Sequence, residues 1–395
     1  MNASNQKLTD LITAPTSGQQ EFENAILASL DMRAWEIDLD QSGFYEQIGQ
    51  RVYDAVKQEV DISSTIRDRI LPELNCDKLP FTGVKEFAIE QIRKAHNGLL
   101  FNGGVTAVDG TRITHDTLPM TITQIGICLV NYNGNYGSYM HRVFQRDLQF
   151  KGDDPVEELM DMLQIRKKRS GQGIDDDMGR FSEMAQRGLM AYAERKILME
   201  RAGSLWRIGH GNPFPYEMLV NFWASKPEVV KEALNLFTQI AKYERFVFVP
   251  SSPGRHLITI GNALQPREYV LIDTVRTGLT EVIDYGHASI ATKALQKQFV
   301  EEYGDQVVIG LFKCSDMSPA HVFYAHRDHA HTAALIAIAD GILQEHRGFP
   351  MLIDLADQIC HSTFHPETFF ASVRQAYADA GQPFRFLGER ETRNR

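Results

Sequence analysis

Apolar residues recur at helical spacing up to about residue 100 and at strand spacing beyond it, and that change of period is the first division of this chain. Phe22, Ile48, Val52, Phe87, Ile89 and Ile92 belong to the helical part, which predicts a helical N-terminal extension over residues 1–100. Val105-Thr106-Ala107-Val108 then makes a short β-rich run that ends on Asp109-Gly110. Ile122 to Tyr132, the turn residues Asn133 to Gly137, and the alternation through Met140, Arg142, Phe144 and Arg146 predict a hairpin. A charged helical stretch runs from Pro155 to about Arg201, broken near Gly171, and a further apolar run leads to Gly209-His210-Gly211. Later strands are expected at Phe246–Val249, Tyr269–Ile272 and Val307–Phe312. Strand, hairpin, helix, strand, helix, strand is the order of an α/β domain, here over residues 101–395, built as a mixed sheet flanked by helices.

Composition narrows the class. With 43% hydrophobic and 23% charged residues, a chain of 395 can bury one large core or two modest ones. The apolar run Ala333–Ala339 is far below the roughly 18 residues a membrane span requires. Met1-Asn2-Ala3-Ser4-Asn5 has no signal-peptide character, so cytoplasmic residence without membrane contact is expected. Cys76, Cys128, Cys314 and Cys360 are too scattered for a disulfide scaffold or zinc site and read as reduced, mostly buried thiols. A net charge of -10 argues against a broad basic surface. Contact with a polyanion would need local positive patches, divalent metal, or a partner that does the holding. The block Arg166-Lys167-Lys168-Arg169, followed by the acidic run Asp175–Asp177, reads first as a solvated loop and second as such a patch.

Chemistry is sought where polar side chains take positions that the helical period assigns to the core, because a buried charge is costly without a metal or a partner. Glu194 follows Met190 by four and precedes Ile197 and Leu198 by three and four, so it projects from an apolar face. Glu200 instead neighbours Lys196 as a surface ion pair. In the helix opened by Pro350, Asp357 shares a face with Ile353 and Cys360, while Asp354 aligns with Gln358 and His361 on the polar side. Taken singly, each buried-face acid reads as a core group satisfied by a hydrogen bond or salt bridge. On its predicted strand end, Asp109 is carried to the sheet's margin, and Gly110 lets the backbone turn away so that a phosphate can come close.

Taken together, these motifs resemble the NurA family of RNase H-like nucleases that work with HerA hexameric DNA translocases. Val108-Asp109-Gly110-Thr111 matches the family's strand ending in Asp-Gly-Ser/Thr, and Glu194 its helical glutamate. His210-Gly211 falls 16 residues after Glu194, where the family places a second Asp-Gly. Phe349-Pro350 matches a Tyr-Pro segment, and the position eight residues after Phe349, a histidine in the family, is Asp357. The departures at His210 and Asp357 look like an exchange that preserves three carboxylates and one imidazole. Phe349 lacks the family tyrosine's hydroxyl.

The resemblance implies an RNase H-like α/β core and a metal-dependent deoxyribonuclease whose ligands and catalytic groups are Asp109, Glu194, His210 and Asp357. Two divalent ions about 3.5 to 4 Å apart would generate the nucleophile, neutralise the phosphoryl oxygens and stabilise the leaving oxyanion, with Asp109 bridging them. A nitrogen ligand among carboxylates favours manganese, with magnesium second. DNA substrate, a HerA-like hexameric ATPase, a homodimer, and a role in DNA end repair or antiviral defence are implied likewise. The alternative is a catalytically inactive adaptor that caps or regulates the translocase. Lys196 and Arg207 read as solvated charges before phosphate contacts. His326, His329 and His331 have poor spacing for a metal, and Asp273 reads first as a turn former and second as a further acid for the same centre.

Overall fold

The strand expected at Val105 is long, running to Asp116, and it sits at the pivot of the sheet. A computed structural model describes residues 17–35, 41–74, 77–148, 154–169, 183–252 and 254–388. Among these, nine strands form one sheet: β1 Lys85–Glu86, β2 Val105–Asp116, β3 Met120–Asn131, β4 Gly134–Arg146, β5 Trp206–His210, β6 Phe246–Val249, β7 Glu268–Thr274, β8 Val307–Phe312 and β9 His321–His326. Their order is β1-β7-β8-β9-β6-β5-β2-β3-β4. β2, β5 and β6 run parallel, and every other pairing is antiparallel. The segment β4-β3-β2-β5-β6 is an antiparallel meander followed by two strands parallel to β2, and the expected α/β class, a mixed sheet flanked by helices, holds.

Four helices position the site: α1 Glu183–Arg201, α2 Pro227–Tyr243, α3 Ala330–Gly341 and α4 Met351–Thr363. α2 connects β5 to its neighbour β6, the crossover that a parallel pair requires, and α1 leads into β5. In α2 the spacing of Val230, Ala233, Leu234, Phe237, Ile240 and Ala241 makes one apolar stripe, and all six are buried. That stripe packs with Val108, Leu129 and Leu198 against one face of the sheet. On the opposite face α3 and α4 cover Val105, Ala107, Cys128, Trp206 and Ile208. Full burial of a Leu, Ile or Phe side chain is worth about 1.5–3 kcal/mol, so both faces of β2 are held firmly. Asp340 of α3 caps α4, its Oδ2 accepting the Leu352 amide at 2.9 Å, and its other oxygen accepts the Tyr132 hydroxyl.

Two compact units divide the chain, Met1–Ile62 and Ser63–Arg395. Described residues of the first include the helix Ser17–Ser29 and most of the helix Gln41–Thr65. The second takes in Phe87, Ile92, Ala95 and Leu100 as core residues, and Lys85–Glu86 pairs with Tyr269 and Glu268. These positions lie within the stretch read from sequence as the N-terminal extension. The two-residue β1 is too short to imprint a period, and β9, His321–His326, is a strand beyond those expected from the sequence. Cys128, Cys314 and Cys360 are buried free thiols, and Cys76 lies outside the described residues. Residues 170–182, with Gly171 and the Asp175–Asp177 run, lie outside them too. Among the described residues no helix is long and apolar enough to cross a membrane.

Candidate active site

Asp109 and His210 occupy equivalent places on neighbouring parallel strands. The last bridged pair between β2 and β5 is Val108 with Gly209, so the next residue on each strand is Asp109 and His210, where the strands part. Strand alternation gives both the same face. Ala107 and Ile208 lie under α3 and α4, and Asp109 and His210 follow them by two. Cys128, opposite Asp109 in β3, belongs to that face as well. Gly211 turns the chain away with φ +83°, a conformation that disfavours any side chain. A crevice beyond the carboxyl ends of parallel strands, where connections leave in opposite directions, is where α/β sheets bind ligands.

Glu194 reaches the same sheet end from α1, on the other face. A Cβ at Gly110 would come within 2.8 Å of Glu194 Oε1 and 2.7 Å of Ile127 Cδ1, so a glycine is needed for the glutamate to lie against the strand. Glu194 is 5% exposed, as its apolar spacing predicts, and its Oε2 accepts from Arg195 at 3.0 Å. Burial pushes the Glu194 carboxyl up to about 7 and the charge of Asp109 adds to this, while Arg195 and His210 oppose it. Arg195 also donates to the carbonyls of His210 at 3.0 Å, Asn212 at 2.6 Å and Ala191 at 3.0 Å. One guanidinium therefore ties the glutamate's helix to the loop that follows β5.

His210 Nδ1 stands 3.7 Å from Asp109 Oδ1. Hydrogen bonding to Asp109 raises the imidazole's pKa, against the lowering effect of burial, and the charges of Asp109 and Glu194 raise it further. Phe349, 6% exposed, sets its ring edge-to-face with His210 at 6.1 Å. It contributes packing where a tyrosine would add a hydroxyl. Asp109 Oδ1 also accepts its neighbour's amide, that of Gly110, at 2.8 Å.

Asp357 closes the group from α4 but is less buried than its place beside Ile353 and Cys360 implies. Its side chain is 46% exposed, against 17% for Asp354, the acid expected on the polar side. The reason is local. Asp354 is drawn inward by Gln344 and Arg347, whereas Asp357 stands at the open crevice with His361 at 3.3 Å. Partial burial and then the charge of Asp109 raise the Asp357 pKa. The charges of Asp109 and His210 thus bear on both Glu194 and Asp357, where β2, which continues to Asp116 instead of ending at Asp109, parts from β5. As they stand, no group of three or more His, Cys, Asp or Glu among the described residues is arranged to hold a metal ion. The donor set nevertheless suits a hard divalent cation, and the Gly110 cradle keeps a buried carboxylate beside Asp109.

Other sequence candidates lie elsewhere or find partners. Asp273 is on β7, five strands from β2, roughly 24 Å at ordinary strand spacing, and cannot join this group. Arg207 is buried with its guanidinium 3.6 Å from the Tyr243 ring, not solvated as expected, because alternation turns it away from His210. Lys196 pairs with Glu200 at 3.1 Å and Glu232 at 3.3 Å. His331 meets the Tyr269 hydroxyl at 2.6 Å and His329 meets Glu244 at 3.4 Å, so the histidine cluster has separate structural uses. An apolar cavity of about 390 Å³, lined by Leu189, Tyr192, Phe222, Trp223 and Val229 among others, shares no residue with the group. Sequence reasoning missed Arg195. It sits one position from Glu194, and only the fold reveals that its partners are backbone carbonyls of a distant loop.

Among solved structures, the chain is similar to the NurA nuclease from Sulfolobus solfataricus, at 9% identity over 85% of this chain and 98% of that one, TM-score 0.43. It is similar also to a NurA bound to dAMP and manganese, at 9% identity over 81% and 93%, TM-score 0.37. Ciona intestinalis endonuclease V in complex with inosine-containing DNA follows at 12% identity over 70% and 98%, TM-score 0.25. No protein-family model and no curated protein matches the chain.

Proposed function

We propose that this protein is a metal-dependent DNA nuclease with Asp109, Glu194, His210 and Asp357 as its working residues. The observation that carries the reading is the placement of Asp109 and His210 immediately beyond the last bridged pair of β2 and β5, with Glu194 seated over Gly110. Manganese suits the mixed carboxylate and imidazole set, with magnesium second. When bound, such an ion supplies Lewis acidity to the phosphoryl oxygens. Asp109, Glu194 and Asp357 would hold it, and His210, with Nδ1 3.7 Å from Asp109, would complete the donors from the parallel strand. Glu194 stays fixed by Arg195, and Phe349 packs against the imidazole so that His210 keeps its aim. Asp357, half exposed, can swing toward the strand end when an ion draws it in.

DNA as substrate, a HerA-like hexameric ATPase as partner and a homodimeric assembly belong to the same proposal and rest on the sequence resemblance. A translocase that threads DNA would relieve a chain of net charge -10 from gripping it. End processing or antiviral defence would be the setting. A second reading, an inactive adaptor for the translocase, is favoured by one observation: the carboxylates already have a cation among them, Arg195. The two separate in an assay on linear DNA with manganese, with RNA offered alongside. The nuclease reading expects cleavage that collapses in Asp109→Ala and in Asp357→Ala. Equal residual cleavage in all three proteins leaves the adaptor.

A further inference from the structure

Arg195 is a charged group with an unusual number of commitments for a site meant to gather cations. Its side chain is 3% exposed, and its three nitrogens reach Glu194 Oε2, the His210, Asn212 and Ala191 carbonyls, all between 2.6 and 3.1 Å. The guanidinium also lies 5.3 Å from the Phe248 ring, and a Cβ at Gly211 would stand 3.4 Å from its Nη2. Nothing about this placement is loose. A buried, fully hydrogen-bonded arginine stays protonated, so its charge is a permanent part of the group.

That charge changes how many ions the four residues can accept. Asp109, Glu194 and Asp357 carry three negative charges, and Arg195 returns one, leaving a net of two with His210 neutral. One divalent ion balances the group. A second would leave two uncompensated positive charges in a partly buried site, which low dielectric makes costly. The oxygens tell the same story. Glu194 has Oε2 engaged by Arg195 and only Oε1, the atom over Gly110, still open; Asp109 has Oδ1 engaged by the Gly110 amide. Carboxylates so engaged are poor bridges between two ions.

We propose that Arg195 stands in for a second metal ion, so that the site binds one divalent cation per chain. This rests on the metal-dependent reading above and replaces the two-ion arrangement that the sequence resemblance implies. Arg195 would then be a positioning residue that also supplies fixed positive charge beside the carboxylates.

The test counts ions without measuring cleavage. Full-length protein free of DNA is titrated with Mn²⁺ at pH 8, and free Mn²⁺ is followed by its paramagnetic resonance signal. One ion per chain is expected for the wild type and for Arg195→Lys, and two for Arg195→Met, in which the fixed charge is gone. Two tight ions in the wild type overturn the proposal and leave the metal reading standing. So does a single ion in a folded Arg195→Met. No binding at all removes the metal reading itself. Should Arg195→Met fail to fold, as circular dichroism would reveal, the wild-type count still decides.

Discussion

The two helices that bring acids to Asp109, where β2 parts from β5, do so in opposite ways. α1 buries Glu194, seats it over a glycine and clamps it with an arginine; α4 leaves Asp357 half exposed beside an exposed histidine. Desolvation is complete on one side of the strand and partial on the other. The difference teaches that one wall of the site is built in advance and the other can be set by what binds. A buried carboxylate with a fixed partner contributes geometry, and an exposed one contributes reach.

The comparison can be broken most decisively at the strand between the two walls. Asp109→Asn should lower manganese-dependent DNA cleavage by at least about a hundredfold, the scale for loss of a central electrostatic group. A smaller loss in a steady-state assay would mean that neither helix faces the reacting atoms. Next come the walls. Glu194→Ala strands a buried guanidinium and should cost about 3–5 kcal/mol in urea unfolding, as for a buried ion pair cut on one side. Asp357→Ala, on the exposed wall, should stay within about 0.5 kcal/mol of the parent in the same experiment. Equal destabilisation would erase the distinction between them. Gly110→Ala sharpens it further. The added methyl must displace Glu194 Oε1 and Ile127 Cδ1, so a loss of about 1–3 kcal/mol is expected, the range for overpacking.

The smallest effect is in pH. Glu194 is raised to about 7, and His210 and Asp357 are raised in direction. For the two acids, a folded pKa above the unfolded one means that ionisation is costlier in the folded chain, and stability falls as pH rises past the unfolded value. The histidine's raised pKa stabilises its protonated form, and that contribution is lost as pH rises through the folded value. All three act in one direction. Relative to Glu194→Gln, the metal-free parent should therefore lose melting temperature from pH 5 to pH 8, a comparison that cancels the opposite pull of His321, His326 and His331, whose pKa burial lowers, while Mn²⁺ affinity rises over the same interval because the ion displaces protons. The same pH dependence of melting in the parent and in Glu194→Gln, by scanning calorimetry, would show that the buried wall is not titrating.

Much of this was legible in the chain because the relevant signals are local. β2, the β3–β4 hairpin, β5 to β8 and the helix after Pro350 follow from period and punctuation. Glu194 was found because a polar residue interrupted an apolar face. The exposure of Asp357 was misjudged because helical period reports which face a residue shares, not how far the neighbouring strand extends over it. Arg347 and Gln344, which pull Asp354 inward, come from the preceding loop and leave no mark on the period of α4. Arg207 was misread for a related reason, since its partner Tyr243 is a helix away. Arg195 stayed invisible because its acceptors are carbonyls, which every residue carries alike.

The parting of β2 and β5 after Val108 and Gly209 has one more consequence. The gap is cut by main-chain divergence, so it fixes addresses without dictating occupants. An imidazole and an acid could swap tenancy across such an opening over evolutionary time without redrawing the sheet, since both addresses open onto the same space. Lineages sharing this scaffold should then be recognised by where their chelating side chains attach to the backbone, even when the letters at those places disagree.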